Sequence, residues 1–122
     1  ACLYDILGLL LREDHSTDHN SVVQRAIGIM ETRYTDALST KEIAESVGLE
    51  RSYFSTLFKA NTGLPPHKYL TRLRVQKACV LMERDNVPVS IVAESVGLDA
   101  QNFSRIFRRE LGVTPIQYKQ RA

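Results

Sequence analysis

The chain uses one stretch of sequence twice. Ile43-Ala44-Glu45-Ser46-Val47-Gly48-Leu49 returns 49 positions later as Val92-Ala93-Glu94-Ser95-Val96-Gly97-Leu98. The offset then holds without a gap, so that Phe54, Ser55, Phe58, Gly63, Pro66 and Tyr69 recur as Phe103, Ser104, Phe107, Gly112, Pro115 and Tyr118. A constant offset over this length means a duplicated structural unit, and any fold of the chain must accommodate two copies of it. Apolar residues recur at helical spacing throughout, and no period-2 run of β-branched residues bounded by turns is present. The class is all-α.

Each position in the unit has a physical task. Ala44 and Ala93 allow two helices to cross closely. Gly48 and Gly97 suit the end of a helix, where the chain turns through φ > 0. Leu49 and Leu98 plug the corner. Phe54 with Phe58, and Phe103 with Phe107, stand at i,i+4 and pin a second helix to a core. Two amphipathic helices around a tight glycine turn form a helix-turn-helix.

The rest of the chain supports these two units. Residues 2–12 read as a short helix with Leu3, Ile6, Leu7 and Leu10 on a stripe, and the polar residues 13–20 read as a linker. Ser21 with Gln24, and Ser39 with Glu42, have the spacing of capping boxes and are expected to start helices. Pro65-Pro66 opens a long helix to about Arg84, Pro88 sits in the first turn of the next helix, and Thr114-Pro115 starts a last one. This gives seven helices, plus one ahead of the linker. No stretch reaches the ~20 apolar residues of a membrane span. A secretory signal is not expected, because no basic region opens the chain. Cys2 and Cys79 make no disulfide framework, and Cys79 is expected to be a small buried residue in a reducing compartment.

Charge is unevenly spread. The net value is +2, yet residues 1–19 set Arg12 against Asp5, Glu13, Asp14 and Asp18, whereas residues 100–122 set Arg105, Arg108, Arg109, Lys119 and Arg121 against Glu110 alone. At 100° per residue, the side opposite Phe103 and Phe107 carries Gln101, Arg105, Arg108 and Arg109, flanked by Asn102 and Ser104. The first copy presents Ser52, Thr56 and Lys59 there, with Arg51, Tyr53 and Ser55 alongside. Arg reads guanine O6/N7 and Gln or Asn reads adenine N6/N7, each with ~1–3 kcal/mol of discrimination. Cations farther along the helix suit phosphates, which position without specifying sequence. We therefore expect Arg51, Ser52, Ser55, Thr56, Gln101, Asn102 and Arg105 at bases, and Ser39, Thr40, Lys59, Arg108 and Arg109 at phosphates. Glu50 and Asp99 suit a helix dipole, and Glu110 lies toward the buried side.

With these residues in place, the chain over about 20–121 resembles the DNA-binding domain of the AraC/XylS family of bacterial transcription regulators. The resemblance rests on Ile43-Ala44-x-x-x-Gly48-Leu49, Phe54-Ser55-x-x-Phe58-Lys59, the run from Gly63 through Arg74-Val75 to Leu81-Met82, and Phe103-Ser104-Arg105-x-Phe107-Arg108-Arg109 through Gly112, Pro115 and Tyr118. It implies two helix-turn-helix subdomains (20–64 and 85–122) joined by a linker helix (65–84), with both recognition helices in the major groove. It implies promoter binding, usually with activation through RNA polymerase, and puts the family's base-facing positions on Ser52, Ser55, Thr56, Gln101, Asn102 and Arg105. Residues 1–19 resemble the tail of a preceding sensor or dimerisation domain, where an effector would bind. The family's second copy usually has one more residue between Gly97 and Phe103, which leaves the register of the second recognition helix open.

Other functions find less support. His15 and His19 at i,i+4 beside Asp14 and Asp18 have metal-like spacing, but lack a third ligand and an apolar shell. No nucleophile–base pair or phosphate-binding glycine loop is visible, so neither an enzyme nor a cofactor is expected within the chain. A helical module whose basic face binds an acidic protein, or a DNA-targeting domain fused to an enzyme, are the alternatives. The expected setting is the bacterial cytoplasm, on nucleoid DNA.

Overall fold

The computed structural model describes residues 8–84 and 87–121, with side-chain surroundings from Asn20 to Gln120 apart from 85–86. Its regular structure is helical: α1 (Gly8–Arg33), α2 (Thr40–Ser46), α3 (Arg51–Thr62), α4 (Pro66–Arg84), α5 (Val89–Ser95), α6 (Ala100–Leu111) and α7 (Pro115–Arg121).

The expected loop at 13–20 is absent. α1 runs through it as one helix of 26 residues, so from Gly8 on the two helices foreseen on either side are continuous, and seven helices stand among the described residues where eight were expected. Ser21 and Gln24 accordingly lie inside α1 and do not start a helix. The segment contains neither Pro nor Gly, and its residue types cost a helix at most ~0.7 kcal/mol each relative to Ala. Polarity there removes a core-facing stripe without breaking the backbone hydrogen bonds. Residues 2–7, Cys2 among them, lie outside the described residues, as do the side chains of His15 and His19.

Two cores form, one per repeat. Val23, Ala26 and Met30 of α1 close the first over Ile43, Ala44, Val47, Phe54 and Phe58. The second gathers Val92, Ala93, Val96, Leu98, Phe103 and Phe107. α4 serves both: Leu70 and Leu73 enter the first core, whereas Val75, Ala78 and Met82 enter the second. The change of core between residues 73 and 75 follows from helical geometry, since residues two apart point about 160° from each other on the 3.6-residue helix.

The two units repeat in detail. Phe54–Phe58 and Phe103–Phe107 have ring centroids 5.6 and 5.5 Å apart. Tyr69 and Tyr118 meet the second phenylalanine edge-on at 5.3 and 5.6 Å. The Tyr118 hydroxyl also donates to Glu83, tying α7 to α4. Cys79 is half-buried beside Tyr118, less enclosed than expected, and burial pushes its thiol pKa up.

Candidate nucleic-acid interface

α3 and α6 are built alike. Each has twelve residues, a carboxylate at the N-cap and a left-handed glycine at the C-cap. Glu50 accepts the Tyr53 N–H at 3.1 Å, and Asp99 accepts the Gln101 N–H at 3.2 Å. Gly63 and Gly112 close the far ends by donating to Lys59 O and Arg108 O at 2.8 and 2.7 Å. The helices therefore start in the same register relative to their aromatic anchors.

Phe54, Phe58, Phe103 and Phe107 are fully buried, so the opposite faces of both helices are presented to solvent. On α3, Arg51, Ser52, Thr56 and Lys59 are exposed and Ser55 is half-buried. The Thr56 hydroxyl donates to Ser52 O at 3.1 Å, leaving an oxygen acceptor and a methyl group facing outward. Tyr53, half exposed on the same helix, adds an aromatic surface. On α6, Gln101, Arg105, Arg108 and Arg109 are exposed and Asn102 is half-buried.

Asn102 has a different surrounding from its neighbours. Its Nδ2 donates to Asp99 Oδ2 at 2.9 Å, and its Oδ1 accepts from Arg105 Nη2 at 3.3 Å. Asp99, Asn102 and Arg105 are thus a chain at successive i,i+3 steps, running from the N-cap to the guanidinium. Both ends of the Asn102 amide are engaged, so this side chain orients Arg105 in the free protein.

Farther along, Ser104, Arg105, Arg108, Arg109 and Thr114 line an open concavity of about 640 Å³. Arg105, Arg108 and Arg109 thus put three cationic side chains on one open face, and arginine suits anionic oxygens such as those of a phosphate. Glu110 tempers this charge from the inner side, pairing with Arg109 at 3.7 Å and with Arg72 of α4 at 3.3 Å. On the first unit, Ser39 and Glu42 form the expected capping box: the Ser39 hydroxyl accepts the Glu42 N–H at 3.1 Å, and Glu42 accepts the Ser39 N–H at 3.0 Å. The hydrogen bond from Ser39 N–H, with the Ser39 side chain second, holds the Glu42 pKa below its usual value. The Tyr53 N–H, then that of Ser52, does the same for Glu50. Ser39 is exposed and Thr40 half-buried at the same helix end.

A helix-turn-helix domain family matches residues 43–121, both copies of the repeat included. An AraC-type transcriptional regulator from Chromobacterium violaceum has the same fold, with a TM-score of 0.78 and 27% identity over 84% of this chain and 92% of that one. The chain belongs to the AraC-type helix-turn-helix family of DNA-binding domains. Two further comparisons are informative. The DNA-binding domain of AdpA, a global transcriptional factor solved with a target DNA, is 25% identical with a TM-score of 0.76, covering 81% of this chain and 90% of that one. The lactose operon transcription activator of Staphylococcus xylosus is 32% identical over 71 residues, 58% of this chain and 25% of that protein. The chain spans about a quarter to a third of the length of the curated relatives it matches.

Within this AraC-type domain, sequence reasoning placed the outward faces but missed two features. Thr114 joins the arginine hollow because α7 begins there, with Thr114 and Gln117 bonded reciprocally at 3.0 and 3.2 Å. The T-x-x-Q spacing at a helix start was the available signal. Lys119, counted in the basic tail, donates to Val87 O at 2.8 Å and is a structural residue.

Proposed function

We propose that the chain is the promoter-binding end of a bacterial transcription activator, placing α3 and α6 in successive major-groove segments on one side of the duplex. The observation that carries this reading is the pair of identically registered helices whose buried faces repeat and whose exposed faces do not. α4 adds the scale. Its 19 residues extend ~28 Å at ~1.5 Å per residue, close to the ~34–36 Å between successive major-groove faces on one side of B-DNA.

The roles divide along each helix. Arg105, held by Asn102, reads a base edge together with Gln101. Arg51, Ser52, Ser55 and Thr56 read the other half-site through one guanidinium, short hydroxyls and methyl contact with thymine. Lys59, Arg108, Arg109, Ser39 and Thr40 take phosphates. Ser39 can do so while capping α2, because its hydroxyl proton is still free to be donated. RNA polymerase is the protein partner of the activator. A small-molecule effector acts through a sensor region outside this chain, for which 1–19 is the connecting segment, and the work is done on cytoplasmic DNA without a cofactor.

Footprinting the purified chain on genomic fragments tests the reading. A protected site of ~17–20 bp, covering one face of the duplex over two successive turns, is the expected result. Protection of a single turn, or salt-sensitive binding without preference for any site, would overturn it.

A further inference from the structure

A single helix is a poor joint between two domains, and relative motion is the default when little else links them. Here the joint is reinforced from three directions around the turn that follows α1. Arg74, half-buried midway along α4, donates from Nε to Tyr34 O at 2.7 Å and from Nη2 to Asp36 O at 2.8 Å. Lys77, one turn on, places its ammonium 5.7 Å from the centre of the Tyr34 ring. The Tyr34 ring packs against both hydrophobic cores. The turn of the second helix-turn-helix approaches the same carbonyl from the other side. A Cβ on Gly97 would lie 2.7 Å from Tyr34 O and 3.1 Å from Thr35 Cα. Gly48, the same position in the first unit, has nothing within 4 Å. Both glycines have positive φ, but only Gly97 is also required for space.

We propose that Arg74, the Tyr34–Thr35 turn and Gly97 form a clamp that fixes the separation and phase of α3 and α6, and that the domain thereby selects operators by the distance between their two half-sites. Arg74 is a positioning residue in this scheme and touches no DNA. The planar guanidinium makes two directed bonds to carbonyls of the first unit while its helix carries the second. One added base pair displaces a half-site by ~3.4 Å and rotates it by roughly 35°, since a turn takes ~10–10.5 bp over ~34–36 Å. A clamped pair of helices cannot follow that displacement, whereas a hinged pair can.

The proposal rests on the two-groove reading above, and one experiment separates the failure of each. A site is first enriched from randomised duplexes with the full 122-residue chain. Its two half-sites are then moved apart or together by one and two base pairs, and affinities are measured by fluorescence anisotropy. The wild-type chain is expected to lose tenfold or more for a one-base-pair change. Arg74→Ala should reduce that penalty to threefold or less, and Arg74→Lys, which keeps the charge but loses the planar fork of donors, should fall between. Gly97→Ala should move the optimum to a different spacing, because the added methyl pushes the units apart without freeing them. Circular dichroism checks folding. If Arg74→Ala does not fold, Arg74→Lys and Gly97→Ala decide. Wild-type binding without an enriched two-part site would sink the two-groove reading and the clamp with it. An enriched site whose spacing penalty is unchanged in the folded variants would sink the clamp alone.

Discussion

The first and second helix-turn-helix units share their insides and differ at their borders. Their aromatic anchors superpose to within a few tenths of an ångström in ring separation, and their recognition helices have the same length and register. Their seating differs. The first unit is roofed by α1 and starts α2 with a capping box, whereas the second leans on the first through Gly97 and starts α5 at Pro88 with no side-chain cap. Duplication preserved the parts that make a unit fold. The parts that diverged are the exposed faces of α3 and α6 and the residues that meet the other unit.

The largest test of this equivalence lies in the anchors. Phe54→Ala and Phe103→Ala each empty a fully buried ring site and should each cost ~3–5 kcal/mol. The Tyr34–Arg74 joint bridges the cores, so urea unfolding followed by circular dichroism should remain one cooperative transition in both variants. A biphasic curve, with only the mutated unit lost early, would show that the two units are energetically separate.

Most of the scaffold could be read from the residues because its signals are local. The glycine turns, the i,i+4 phenylalanine pairs, the Ser39–Glu42 cap and the proline helix starts all act within one turn of chain. The extent of α1 could not be read, since a polar run without Pro or Gly is compatible with either a helix or a linker until its neighbours are known. Arg74 was visible only as a member of a family pattern, because its partners Tyr34 and Asp36 lie 40 and 38 residues away. The link that Asn102 makes between Asp99 and Arg105 depends on where α6 begins, which the resemblance itself left open.

A smaller effect separates the two reading faces. Arg105→Ala should weaken binding to the preferred site by ~1–3 kcal/mol and relax the preference at one base pair. Thr56→Ala removes a hydroxyl already bonded to Ser52 O and should cost less than ~1 kcal/mol. Asn102→Ala should weaken specific binding when Arg105 is present and add little in an Arg105→Ala background, a coupling that a double-mutant cycle on a base-substituted panel resolves. Equal losses at Arg105 and Thr56, with specificity intact, would mean that the outward faces are less unequal than their side chains suggest.

The smallest effect concerns how the two units begin. Ser39→Ala removes the acceptor for the Glu42 N–H and should cost about 1 kcal/mol, the usual loss for a serine N-cap. No matching loss is expected on substituting the positions around Pro88, where no side chain caps α5. Acid should expose the same asymmetry. Glu42 and Glu50, both in the first unit, have folded pKa values lowered by backbone N–H donors. Their contribution is therefore fully present above the ordinary glutamate value of 4.5, and is lost as pH falls through the lowered values. Hydrogen exchange between pH 5 and pH 3, corrected for intrinsic rates, should show protection falling first at the N-termini of α2 and α3. Equal early loss at the start of α5 would mean that these carboxylates do not set the first unit's acid sensitivity.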